Sequence, residues 1–517
     1  MDQIKFFRRR QFLLAPTESA FPGWLRYDAG HGYKLFVHPD LPVVQVANAG
    51  NRLTMAGYCI DPLRPEIPEA ALLAGILAKT SQWADVPPLI EGLTGRFVLI
   101  FQIQANTWLF HDAVAMRQVN YAQDKMGETW CASQAETLAE RLGFELDPEV
   151  ISFKNLPVFT ENRAEFWLLN DRTPYREVRN LLPNHFLDLS TGCARRYWPV
   201  PGCIKPLSVS ESIEACTPIL KNSIKAAANR FDLRMGCSAG IDSRKTLAAT
   251  RGISDKIYYF SHAPAETALD VNDVLVPARL LPKLGIVHHN LGWKPMTDIF
   301  RKYFEASATF AREKKGNIAH VIFDSFGPEA TVLNSNISEV AQCIYWLPKN
   351  GVNGENLAIL SGLKHPFAIT EFQKWVDGAL SPCQAANLDI LALFFLEQRM
   401  GRWCMAAFAE YDIAHETFNP YNNRHLHCLM LGVDERHRRD RRWDVSLQHI
   451  RSMWPEVLQL PINPQDRFGA KIQQFLRRFV VHKIVTPYAP FYQYLRFAKR
   501  RRRFRKAPAF SPETRPL

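Results

Sequence analysis

The stretch with the clearest chemistry is Phe231-Asp232-Leu233-Arg234-Met235-Gly236-Cys237-Ser238-Ala239-Gly240-Ile241-Asp242-Ser243-Arg244-Lys245, an apolar run that breaks into small residues and opens a helix. A strand that feeds a helix through such a turn aims backbone N–H groups and the positive end of the helix dipole at one point, which suits an anion. Ser238, Gly240 and Ser243 keep that point uncrowded and add hydroxyl donors, while Asp242 offers a hard carboxylate for Mg²⁺. The Gly-Lys-Ser/Thr ending of a Walker loop is absent. The glycines alone equally suit an ordinary strand-turn-helix junction. A second apolar run, Thr331-Val332-Leu333, also ends in small polar residues and an acid, Asn334-Ser335-Asn336-Ile337-Ser338-Glu339. A metal bridging phosphates needs oxygen ligands from two loops, and the crevice beyond the carboxyl ends of parallel strands supplies such a pair, here Asp242 and Glu339. The adjacent His288 and His289 are not expected to share a metal, because neighbours on a strand point to opposite faces.

Those residues need a scaffold, and the chain is long enough to supply one. With 517 residues and 47% apolar content it can fill two or three cores. No apolar run reaches the roughly 18 residues of a bilayer span. Phe7-Arg8-Arg9-Arg10-Gln11-Phe12-Leu13-Leu14 superficially looks like a twin-arginine export signal, but Pro16 and Glu18 cut the apolar region short, so export is not expected. Ten scattered cysteines without a Cys-x-x-Cys pair fit reduced thiols in a cytoplasm. The net charge of +12 is local: residues 476–517 hold twelve Lys/Arg against Glu513, leaving the body close to neutral. That tail interleaves Phe475, Phe479, Tyr488, Phe491, Tyr492, Tyr494 and Phe497 with base. It suits an anionic membrane surface, RNA, or simple solvation, and the membrane surface is the favoured functional reading.

Read in order, Tyr33–Val37, Val43–Val46 and Gly95–Phe101 alternate as short strands, with a helix near Pro68–Ser81. Apolar runs around Pro183-Asn184 predict a β-hairpin, and Pro199, Pro201-Gly202 and Pro206 mark a linker. From Ser208 the pattern becomes helix, strand, turn, helix and strand, as in a parallel sheet, and Asp389–Ala409 reads as buried helix. The expected architecture is an α+β layered domain over 1–205, an α/β doubly wound parallel-sheet domain over 206–470, and a helical, basic aromatic tail over 471–517.

Ser-Ala-Gly-Ile-Asp-Ser at 238–243 resembles the Ser-Gly-Gly-x-Asp-Ser pyrophosphatase loop of the asparagine synthetase family, with Ala239 for the first glycine. Leu93–Ile100, Trp108–Asp112 and Val119–Ala122 resemble the later part of the family's class II glutamine amidotransferase domain, which is Ntn-hydrolase-like. Leu182-Pro183-Asn184-His185 with Tyr197-Trp198 resembles its closing hairpin. The resemblance implies ATP and Mg²⁺ as cofactors and an acyl-adenylate intermediate. It places Ser238, Ala239, Gly240, Ile241, Asp242, Ser243, Ser261, Leu333 and Ser335 around the nucleotide, with Asp242 and Glu339 on the metal. Thr331–Glu339 is similar to the family's Leu-Ser-Gly-Glu-Gly-Ala-Asp, so Asn336 falls where a catalytic acid often stands. His415–Asn423 is similar to Glu-x-Arg-x-Pro-Phe-Leu-Asp, which makes Glu416 a catalytic candidate, although Phe418 replaces the arginine and Asn423 the aspartate. Lys471, with Lys483 as a rival, lies where the family carries a charge-stabilising lysine.

In that family the glutaminase nucleophile is a cysteine directly after the initiator Met, yet position 2 is Asp2 and the first cysteine is Cys59. The glutaminase is therefore expected to be inactive, with free ammonia or a substrate amine as nucleophile, as in β-lactam synthetases and lasso-peptide cyclases. The expected partners are a small-molecule or peptide carboxylate and an amine donor, with peripheral membrane contact through the tail. Nucleic acid is not expected, and self-association is left open. The alternatives are a non-catalytic scaffold at a membrane-associated biosynthetic assembly and a tRNA-modifying pyrophosphatase, whose loop usually lies near the chain start.

Overall fold

The structure is a computed structural model that describes residues 3–160, 165–264, 271–293, 295–308, 310–348, 351–438, 444–464, 494–495 and 497–502. Among the described residues twelve strands precede the proline-rich linker: β1 Phe12–Ala15, β2 Leu25–Gly30, β3 Tyr33–Val37, β4 Val43–Asn48, β5 Asn51–Ile60, β6 Thr94–Ile103, β7 Asn106–His111, β8 Asn120–Gln123, β9 Thr129–Ala132, β10 Arg179–Asn180, β11 His185–Asp188 and β12 Cys193–Arg196. They form two antiparallel six-stranded sheets, ordered β10-β8-β9-β1-β3-β2 and β12-β11-β7-β6-β5-β4.

Period-2 alternation decides how these sheets stack. On β6, Val98 and Ile100 meet Phe12, Leu14, Leu35 and Val37 of the other sheet, whereas Phe97, Leu99 and Phe101 face Leu72, Leu73, Ile76 and Leu77 of the helix Glu69–Leu77. On β1, Leu13 and Ala15 turn outward onto Leu138 and Ala139 of the helix Ala135–Leu142. The result is four layers: helix, sheet, sheet, helix.

The hairpin expectation needs a correction. β11 and β12 do pair, but their turn is Leu189–Gly192, while Pro183-Asn184 joins β10 of one sheet to β11 of the other. Asn184 holds a positive φ of 69°, and its side chain donates to Glu397 at 2.7 Å, so this Pro-Asn corner serves the crossing between sheets.

Beyond the linker, the five strands among the described residues are all parallel: β13 Leu233–Gly236, β14 Ile257–Pro264, β15 His288–Trp293, β16 Thr331–Leu333 and β17 Glu416–Phe418, in the order β15-β14-β13-β16-β17. Leu233, Met235, Tyr259 and Leu333 pack on the side of the helices Val209–Arg230 and Ile241–Ala249. Phe260 and Val332 pack oppositely on Val321 and Ile322 of the helix Glu313–Phe326. Helices on both faces explain why the strands read as nearly continuous apolar runs.

One large apolar cluster runs through both halves of the chain, from Tyr58, Val114 and Trp198 to Leu233, Phe394 and Phe418. Phe497 is buried in it, so the tail touches the body there, while Lys499 to Arg502 are exposed. Among the described residues no helix is long and apolar enough to cross a membrane.

Candidate functional site

The order of the parallel sheet reverses between β13 and β16, because the chain leaves β13 toward β14 and β15 and returns on its other side. Such a switch point leaves a crevice at the carboxyl ends of the two strands. The turn Cys237–Gly240 follows β13 and the segment Asn334–Glu339 follows β16, so the two stretches singled out in the sequence meet there.

The turn is braced from within. Ser238 Oγ and Ser243 Oγ are 2.9 Å apart, Ser243 Oγ accepts from Ser238 N at 3.3 Å, and Ser238 Oγ accepts from Gly240 N at 3.2 Å. The Asp273 carboxylate accepts from Ala239 N at 3.0 Å, so an anionic oxygen of the chain itself already occupies this N–H. Ala239 O accepts from Asn463 N at 3.0 Å, and the buried Arg244 guanidinium donates to Pro461 O at 2.6 Å, which fastens the 460–464 segment beside the loop. Ser261 is buried. Its hydroxyl donates to Cys237 O at 2.8 Å and lies 3.0 Å from His288 Nε2, so it supports the turn from behind. Ala239, Ile241 and Leu333 are buried too, the last two in the large apolar cluster. Any contact from them to a ligand in the crevice runs through the backbone.

Asp242 and Glu339 are brought together. Ser338 Oγ donates to Asp242, and the buried Lys245 donates from Nζ to Ser338 O at 2.9 Å. Burial, and after it the Asp242 charge, pushes the Glu339 carboxyl up to about 7, with Lys245 and Arg399 pulling the other way. Burial lowers the Lys245 ammonium, and Asp242 and Glu339 oppose that. Glu339 Oε2 has no hydrogen-bond partner among the described residues. Two facing carboxylates with an unpartnered oxygen fit a hard divalent cation, and Lys245 is a third charge at the same place. Among the described residues no group of three or more His, Cys, Asp or Glu is placed so that it could hold a metal ion.

Ile337 holds a φ of 76°, in the left-handed region that disfavours a β-branched side chain, at the position that the Leu-Ser-Gly-Glu-Gly-Ala-Asp motif fills with glycine. A strain of about 1–3 kcal/mol is the usual cost. Its side chain is fully buried in the large cluster, which holds it in place. Ser335 is half-buried beside it. Asn336 donates from its side chain to Cys404 Sγ at 2.9 Å and accepts on its carbonyl from Asn419 at 2.7 Å. A carboxamide has no titratable proton, so Asn336 does not supply the acid that the motif often carries at this position, and its side chain is held on Cys404 instead.

Glu416 is not part of this crevice. It starts β17, level with Thr331 at the amino end of β16, and its carboxylate accepts from Arg96 at 2.8 Å and Arg117 at 2.9 Å. Burial would push its carboxyl up, but Arg117 and Arg96, with Arg10 behind them, hold it well below the usual range. As placed, Glu416 is an interior anchor between the halves of the chain, which revises the catalytic expectation. The rest of that stretch does the same. Tyr58 donates to Thr417 O at 2.7 Å, Asn422 donates to Asp112 at 2.9 Å, and Asn423 donates to Gly92 O at 2.6 Å and N-caps the helix Arg424–Leu431. Phe418 is core. Lys471 and Lys483 lie outside the described residues, as does Asp2. Cys59 is buried on β5, and burial raises its thiol far from the thiolate range, which does not suit a nucleophile.

Sequence reading missed Lys245, Asp273, Ser338, Asn463 and Arg399. Lys245 was accessible, since it falls three residues after Asp242 and so on the same helical face. Arg399 lies in a π-helix, Phe395–Cys404, with its guanidinium 3.5 Å over the Trp403 ring, and the apolar periodicity of that region does not reveal a π turn.

No family model matches the chain, and no curated protein matches it. Solved structures similar to it include "the allosteric regulatory enzyme of purine biosynthesis", at 11% identity over 59% of this chain and 76% of that one, with a TM-score of 0.24. A glutamine phosphoribosylpyrophosphate amidotransferase from B. subtilis complexed with ADP and GMP is 9% identical over 65% of this chain and 73% of its own, with a TM-score of 0.24. A glutamine-dependent NAD⁺ synthetase from Acinetobacter baumannii in complex with ADP is 11% identical over 59% and 68%, with a TM-score of 0.18. Likenesses at these TM-scores decide neither the fold nor the chemistry.

Proposed function

We propose that the chain is an ATP-dependent ligase of the asparagine synthetase type, joining a carboxylate to an amine through an acyl-adenylate, with an inactive glutaminase half. The observation that carries this reading is the meeting of Asp242 and Glu339 at the switch point, from loops almost a hundred residues apart, with the Ser238–Ser243 turn beside them. A carboxylate oxygen of the substrate attacks the α-phosphorus of ATP, the bond to the bridging oxygen of the β-phosphate breaks, and pyrophosphate leaves. The amine then attacks the acyl carbon, the electron pair of the acyl–oxygen bond leaves with AMP, and the amine proton passes to solvent. Asp242 and Glu339 are the residues that would hold Mg²⁺, whose chemistry is to neutralise the leaving pyrophosphate. Ser238, Gly240 and Ser243 would face the phosphates, and Lys245 would hold the two carboxylates in register. The four-layer first half supports an amidotransferase-like origin, and the unpaired cysteines support a cytoplasmic setting.

Pyrophosphate release with a panel of carboxylates and amines tests the ligase. Activity should appear with at least one pair and fall by about a hundredfold or more in Asp242→Ala. Absence of ATP binding by the intact protein would sink this reading. A second reading, a non-catalytic scaffold at a membrane-associated assembly, draws on the turn's N–H groups already being taken by Ser243, Asp273 and Ser238 and on the exposed run Lys499 to Arg502. Co-sedimentation with anionic vesicles, full chain against a chain ending at Pro490, separates it.

A further inference from the structure

The turn after β13 carries a cover made by the chain itself. Leu460-Pro461-Ile462-Asn463-Pro464 runs beside it, and the two ends of that segment are held differently. At the base, the Arg244 guanidinium donates to Leu460 O and Pro461 O, while Leu460 and Ile462 pack against the large apolar cluster. Arg244 is 1% exposed, so the base is fixed in the interior. At the tip, Asn463 is exposed and Pro464 half-buried. Asn463 N donates to Ala239 O at 3.0 Å, and Asn272 Nδ2 donates to Pro464 O at 2.9 Å. Both are hydrogen bonds between neutral groups, which contribute modestly where water can replace them.

Asn463 also stands over Gly240. A Cβ built on Gly240 would meet Asn463 Oδ1 at 3.9 Å, so a carboxamide oxygen lies within van der Waals reach of the space that the glycine leaves open. Asn463 holds a φ of 44°, in the left-handed region that Asn enters more readily than most residues with a side chain. The Asp273 carboxylate accepts from Ala239 N at 3.0 Å and Ser238 Oγ accepts from Gly240 N at 3.2 Å, so oxygens of the chain surround the turn. An entering phosphate brings negative oxygens to the same donors. It must compete with those acceptors, and like charge on Asp273 opposes it.

We propose that the tip, Asn463 and Pro464, is an autoinhibitory latch on the phosphate turn, seated when the turn holds no ligand and released when the phosphates of a nucleotide enter. The latch rests on the turn being an ATP site and adds regulation to that site. Release breaks the hydrogen bonds from Asn463 N to Ala239 O and from Asn272 to Pro464 O, whereas Arg244, Leu460 and Ile462 keep the base in place. Motion is thereby confined to the tip. Only the released fraction of molecules is competent to bind, so the apparent affinity is the intrinsic affinity multiplied by that fraction. Loosening the tip raises nucleotide affinity without adding a contact to the ligand.

Hydrogen exchange of the full chain, with and without Mg²⁺ and α,β-methylene-ATP, reads the latch directly, because the Asn463 N–H loses its acceptor on release. Exchange at Asn463 should quicken by about threefold or more when nucleotide is added, and unchanged or slower exchange in the bound state overturns the latch. Asn463→Gly keeps the positive φ and removes the amide oxygen from over Gly240. It should tighten binding of a fluorescent ATP analogue by about threefold or more with unchanged circular dichroism. Equal or weaker binding overturns the latch, the weaker case showing that Asn463 assists the phosphates. Nucleotide binding with a static Asn463 amide sinks the latch alone, and absence of nucleotide binding to the unaltered chain sinks the ATP reading together with it. The exchange measurement needs only the unaltered chain, so it decides the matter even where the variant fails to fold.

Discussion

Glu416 shows how a single residue can match a catalytic motif and still be structural. Its carboxylate, with Asp412, neutralises Arg96 and Arg117 inside the protein, and removing one member of a buried cluster strands the others. Glu416→Gln should therefore lower unfolding free energy by about 3–5 kcal/mol in urea titrations. If ATP chemistry is present, activity per folded molecule should be retained, and loss of activity with full stability would return Glu416 to the reaction. Lys245 has the opposite placement, among the charged groups of the crevice. Its Nζ is fixed by Ser338 O at 2.9 Å and sits 5.2 Å over the Tyr421 ring. Lys245→Met leaves Asp242 and Glu339 facing each other uncompensated, so added Mg²⁺ should raise the melting temperature of the variant more than that of the parent.

At the scale of elements, the loop after β13 depends on its neighbours for its state. The Asp273 carboxylate on Ala239 N comes from the first turn of the helix Asn272–Leu280, and a phosphate entering the turn would compete with it for the same donor. Asp273→Asn keeps the shape and removes the charge. It should tighten ATP binding several-fold in a fluorescent-nucleotide titration, and weaker binding would show that Asp273 assists the ligand instead. The π-helix Phe395–Cys404 is fixed by equally specific contacts. Gly401 is required because a Cβ there would lie 2.4 Å from Pro183 Cγ, and Glu397 takes the Arg196 guanidinium together with Asn184 and Trp375. Through these contacts the π-helix ties the Pro-Asn corner of the first half to the second.

For the whole molecule, the two halves are joined by charge as well as by the shared apolar cluster. Arg9 and Arg10, which look like a targeting signal in the sequence, are buried, and Arg10 donates to Asp412 O at 2.7 Å and Pro328 O at 2.8 Å. Buried histidines contribute to acid sensitivity. Burial lowers His415 to about 4 and lowers His427 and His449 to about 3, with the Arg424 charge adding to the effect on His427 and Lys245 to that on His449. In the unfolded chain these groups take up protons near their ordinary value of about 6.5. Their contribution to stability is thus complete above that pH and is lost as pH falls toward 4 and 3. The urea midpoint should drop between pH 7 and 4.5, and His449→Gln should make that drop shallower. A midpoint independent of pH would contradict this account.

The sequence by itself determined what local chemistry encodes. Alternation placed the strands from Tyr33 to Phe101, small residues after Met235 marked the turn, and an apolar run ending in Asn334 and Glu339 marked its opposite wall. These signals are short-range, because period and turn composition are properties of neighbouring residues. Only the tertiary structure decided which charges are spent on folding. Nothing within His415–Asn423 reports that Arg96 and Arg117, some three hundred residues earlier, would claim Glu416. Nor does the turn sequence reveal that Asp273 would sit on Ala239 N. Burial and partner identity are long-range quantities, and they separate a carboxylate free to hold a metal from one that holds two halves of a protein together.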